Sequence, residues 1–159
     1  MKNLLLLLFC GITSGSFCQV NFTMPPEANT FYENAMRTIK SQVKNVIEKN
    51  ANNLRGRKVN TDSLFKSLHK DQALKNITQG EIEAVTVLIM VRASKNADND
   101  LKDLVVNMHK NNNENPTDND RTQNKAQVIL TNKSQIAENI SLLMKKLSGS
   151  KDLAIDNLK

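Results

Sequence analysis

Residues 77–91 constrain the fold of this chain more than any other stretch. Ile77-Thr78-Gln79-Gly80-Glu81-Ile82 has the Ser/Thr-x-x-Glu spacing of a capping box, in which Thr78 and Glu81 each satisfy the other's backbone amide. Ile77 and Ile82 flank the box where a hydrophobic staple belongs. The run that follows, Ala84-Val85-Thr86-Val87-Leu88-Ile89-Met90-Val91, holds a single polar side chain. On its own it reads as a buried strand as readily as a helix. The cap before it, and the spacing 85, 89, 93, 97, 101, 105 and 108 through and beyond it, predict a helix. A helix that is apolar all round is buried all round, which puts this one at the centre of the domain with the others around it.

Helical spacing recurs on both sides of that segment. Tyr32, Met36, Ile39, Val43, Val46 or Ile47, Asn50 and Leu54 fall at steps of three and four. They predict one helix of about 27 residues. It stops at Arg55-Gly56-Arg57, with Gly56 as the left-handed C-cap. Residues 19–30 around Pro25-Pro26 read as an extended leader, although Pro26-Glu27 suits a helix opening. A short helix follows, capped by Asn60 or Thr61, with Leu64, Phe65 and Leu68 as its buried edge. It ends by Leu74. Asn111 to Pro116 is a loop. From near Asp118 to Leu147, residues Ala126, Ile129, Lys133, Ile136, Ile140, Leu143 and Leu147 form a heptad seam with one lysine in it. Residues 148–159 read as a flexible tail after Ser148-Gly149-Ser150.

Three prolines, five glycines, one Tyr and no Trp leave too few turn residues and rings for a β-sandwich or barrel. The expected fold is all-α: an up-and-down bundle of three long helices and one short, spanning residues 31–147.

The first 18 residues stand outside that domain. Lys2, the apolar run Leu4–Phe9 and a small-residue exit form a signal peptide. The expected cut follows Cys18, leaving Gln19 at the N-terminus, with a cut after Ser16 as the alternative. Lipid anchoring at Cys18 is a poorer match, because Gly15 and Phe17 stand where a lipobox has Leu and Gly or Ala. Cys10 and Cys18 are the only cysteines, so the mature domain carries no thiol and is held by packing alone. No segment is apolar for the roughly 20 residues a membrane span needs. The formal charge of +6 falls by one with Lys2. An exported basic protein meets anionic surfaces and acidic proteins, not cytosolic nucleic acid, and membrane-surface contact stays open.

Chemistry-bearing residues are sparse. His69 and His109 stand in no metal-binding spacing. A haem ligated by His109 with Met36 or Met144 has no pattern behind it. Asp98-Asn99-Asp100 with Asp103, and Asp118-Asn119-Asp120 with Thr122 and Asn124, resemble calcium loops but lack the Gly and Glu of an EF-hand. Asp118 and Asp120 read instead as helix-start residues. Glu81 and Glu83 lie two apart, on different helix faces, and cannot act as a dyad. Arg55-Gly56-Arg57-Lys58 is the densest basic spot and reads as a solvated loop. Tyr32 and the few Phe residues make no stacking platform for bases or sugars. Asparagine occurs 22 times, so sequons at Asn21, Asn76, Asn132 and Asn139 are about as many as chance supplies. Asp62-Ser63-Leu64 is similar to a bacterial O-glycosylation acceptor but also suits a helix start.

No residue is therefore expected to be catalytic, cofactor-binding or metal-ligating, and no cofactor is expected. Ile77-Thr78-x-x-Glu81 and Leu130-Thr131-x-x-x-Gln135 are similar to the motif of LTxxQ-type periplasmic stress chaperones, without matching it. The functional expectation is an exported, non-enzymatic interaction module with an unknown protein partner or self-association. A chaperone-like or ligand-binding bundle is the alternative.

Overall fold

The computed structural model describes residues 23–111, 116–149, 155 and 158–159. The expected signal peptide lies outside them. Five α-helices follow one another: α1 (Pro26–Thr38), α2 (Ser41–Asn53), α3 (Thr61–His69), α4 (Gln79–Asn111) and α5 (Pro116–Gly149), with a 3-10 turn at Gln72–Leu74. Among the described residues there is no strand.

α4 starts as its sequence dictates. Glu81 N–H donates to Thr78 Oγ1 at 3.2 Å, and Thr78 N–H donates to Glu81 Oε2 at 2.7 Å. Ile82 is buried and Ile77 packs beside the core, completing the staple. Every residue from Ile82 to Val91 is buried. The one hydroxyl among them, Thr86 Oγ1, donates to Ile82 O at 2.8 Å, so the run carries no polar cost there. α1, α2, α3 and α5 each pack against α4, which supplies the neighbours an all-round apolar helix needs.

The single helix of about 27 residues expected to stop at Arg55-Gly56-Arg57 is two helices, α1 and α2. Ile39 and Lys40 are extended, with ψ of 152° and 146°. Neither Pro nor Gly marks the break. Its partner comes from the far end of the chain, because Lys40 N–H donates to Leu158 O at 2.8 Å. Leu158 itself is fully buried, and Ile155 packs against the core. The segment expected to be a free tail thus returns to the α1–α2 corner. The expected leader is corrected as well, since α1 opens at Pro26 with Pro in its first turn and Glu27 at its positive end. α2 ends at Asn53 with Leu54 as its C-cap, and Gly56, the expected cap, takes φ +67° in the turn that follows, where a side chain would be strained. Asn60 caps α3 by accepting from Ser63 N–H at 2.9 Å, which accounts for Asp62-Ser63-Leu64 as a helix start.

Long-range contacts set the helix directions. Glu48 meets Arg92, Asn52 meets Asn96 and Arg55 meets Asp100, so α2 runs parallel to α4. Lys146 meets Glu83 and Lys133 meets Asp98, so α5 runs antiparallel to it. α3 descends from the end of α2 to the start of α4, where His69 Nε2 and Gln79 Oε1 lie 3.1 Å apart.

Candidate interaction site

α4 has 33 residues and α5 has 34, each about 50 Å long. α1–α3 cover only the first two thirds of α4. Their last described hydrogen bond to it is Arg55 Nε to Asp100 Oδ2, at 3.1 Å. Beyond that point α4 and α5 form a two-helix hairpin, and burial falls at once. Leu101 and Leu104 are half-buried, and Val105 and Val106 are 52% and 50% exposed. On α5, Val128 is 51% and Leu130 is 54% exposed. The stripe spaced 85, 89, 93, 97, 101, 105 and 108 therefore leaves the core after Ala93. α5 shows the same gradient, with Ile136, Ile140, Leu143 and Leu147 buried but Ala126, Ile129 and Lys133 only half-buried.

Two open grooves flank the hairpin. One, of about 550 Å³, begins at Gly56 where α2 stops; Leu104, Val128 and Ile129 line it, with Asp103 on the α4 rim and Lys125 on the α5 rim. The other, of about 930 Å³, begins at Thr23 and Met24 and runs along Ala126, Leu130 and Ala137. The Lys133–Asp98 ion pair lies in it, so the one lysine of the α5 seam marks where that seam meets water. Ser94 backs the same groove with its Oγ buried and unpartnered among the described residues.

The other charged groups are structural. Glu81 holds the α4 cap, whereas Glu83 accepts from Gln79 Nε2 and from Lys146 Nζ. Their separate partners match their separate helix faces. Arg55–Lys58 are exposed, as a solvated loop should be, and Arg55 in addition pairs with Asp100, which raises its pKa by hydrogen bond and charge. Asp98 and Asp100 are each taken up by a cation from another helix, which leaves no calcium-loop geometry in that patch. The side chains of Asp118, Asp120 and His109 lie outside the described residues, as does Asn21. Met36 and Met144 pack against the core. Among the described residues, no three His, Cys, Asp or Glu side chains cluster as a metal site. Lys95 bonds Glu33, lowering that carboxyl's pKa chiefly through the hydrogen bond, and sits 4.8 Å over the Tyr32 ring. Burial raises the pKa of the Tyr32 phenol.

No helix among the described residues is long and apolar enough to cross a membrane. Compared with protein-family models, with curated proteins and with solved structures, the chain matches none.

Proposed function

We propose that this chain is an exported, non-enzymatic interaction protein, an up-and-down helical bundle whose α4–α5 hairpin meets another protein. The observation that carries this reading is the placement of exposed apolar side chains. Of the five large hydrophobics at least half exposed among the described residues, Val105, Val106, Val128 and Leu130 lie on or beside the hairpin, and Leu142 lies elsewhere. Scattered exposed apolar residues need no explanation, but four on one extended hairpin suit a contact surface. The signal peptide supplies the export.

The test pairs two measurements on protein from its native source. N-terminal sequencing of the exported chain is expected to begin at Gln19. Pull-down with the wild-type chain is expected to recover a partner that the triple variant Val106→Ser, Val128→Ser, Leu130→Ser loses while keeping its melting temperature. A monomeric wild-type chain that recovers nothing contradicts the reading. The mixed polar and apolar lining of the Met24-side groove favours one second reading, a chaperone-like holder of unfolded chains. It requires that the chain suppress aggregation of a reduced, unfolded client.

A further inference from the structure

We propose that the Gly56-side groove is a seat for one amphipathic helix of a second protein, laid end to end with α2. It rests on the interaction reading above and specifies its partner. α2 already shows how this face of α4 takes a helix. Its residues 48 and 52 meet Arg92 and Asn96, and Arg55, in the turn just past its end, meets Asp100, one rung per turn of α4. The ladder does not run out on α4, where Asp103, Leu104 and Asn107 carry the next turns and line the groove. It runs out on α2, which ends at Asn53 and is followed by a turn in which Gly56 takes the left-handed conformation. Apart from its own chain neighbours, no described residue has an atom within 4 Å of where a Gly56 Cβ would sit.

The lining sets the chemistry of the occupant. Leu104, Val128 and Ile129 offer an apolar floor to residues spaced i, i+3 or i+4, and i+7. Asp103 on one rim and Lys125 on the other have no ion pair among the described residues, unlike Asp100 below them. The occupant is thus basic along its α4 edge and acidic along its α5 edge. The slot lies between α4 and α5 and begins where α2 stops, which suits a single helix.

The probe is a synthetic peptide of about 18 residues, long enough to be helical alone. It carries a leucine stripe flanked by lysines on one edge and glutamates on the other. Titrated into the full chain, it is expected to shift the amide resonances of Leu104, Val128 and Ile129. Asp103→Lys or Lys125→Glu alone weakens binding about two- to five-fold, as loss of one exposed pair does. The double reversal restores it, because turning the peptide end for end exchanges its edges. The proposal is overturned by absent binding, by shifts elsewhere, by single reversals without effect, or by concentration-dependent dimerisation abolished by Val128→Asp. If the peptide fails while the hairpin triple variant still loses a native partner, the helix seat is wrong and the interaction reading stands.

Discussion

The two halves of α4 differ in surroundings, not in backbone. Residues 82–91 are at most 4% exposed, while Val105 and Val106, four turns on, keep about half their surface. Both lie in one uninterrupted helix with the same hydrogen-bond ladder. The first half is enclosed by α1, α2, α3 and α5, whereas past Asp100 the described polar contacts from α1–α3 cease. Burial therefore belongs to the neighbours rather than to the helix, and the stability of the molecule is concentrated at one end. The other end is left with apolar groups facing water.

Substitutions that probe each half sharpen this contrast. Ile89→Ala, at a fully buried position, is expected to cost about 2–5 kcal/mol in denaturant unfolding, as core truncations do. A loss under 1 kcal/mol would mean the centre is loosely packed. Leu158→Ala is expected to cost about 2 kcal/mol, the low end of that range because a chain-end socket can partly close. It is also expected to move the Lys40 amide resonance; an unmoved amide would place the cause of the α1–α2 break elsewhere.

Tyr32 reports on the enclosed half through pH. Its phenol is held neutral by burial, so its folded pKa lies above the ordinary 10.0. The sign follows: the folded state retains the proton longer, so the full stability is present below pH 10 and is lost as pH rises through the folded value. Urea unfolding between about pH 8 and 11 is expected to show a steeper alkaline loss for the wild type than for Tyr32→Phe. Equal slopes would mean the ring is solvated. The smallest effect belongs to the hairpin. Val106→Ser, at 50% exposure, is expected to change stability by no more than about 0.5 kcal/mol.

How much of this is legible in the sequence depends on the range of the interaction. The Thr78–Glu81 cap, the burial of Ala84–Val91 and the Asn60 cap are local, and residue spacing alone specifies them. The break at Ile39–Lys40 is not local. Tyr32, Ala35, Ile39 and Val43 keep steps of three and four across it, all buried, so the periodic stripe hides the corner. Its hydrogen-bond partner, Leu158, lies more than a hundred residues away. Arg55 is similar: its exposure is legible beside the glycine, but its partner Asp100, 45 residues on, is not. The hairpin surface is the hardest case. Positions 101 and 105 continue the stripe of positions 85–97 without a seam, and only the limited reach of α1–α3 separates them. The candidate site is visible in sequence as apolar residues, but not as exposed ones.

Amide hydrogen exchange along α4 tests the central claim most directly. Residues 84–93 are expected to exchange only through global unfolding, with protection equal to the denaturant stability of the whole chain. Residues 101–107 are expected to open locally, with protection at least about tenfold lower, and to gain protection when a partner or the helical probe binds. Uniform protection along the helix, unchanged by any binder, would contradict the division into an enclosed, stabilising end and an open, recognising one.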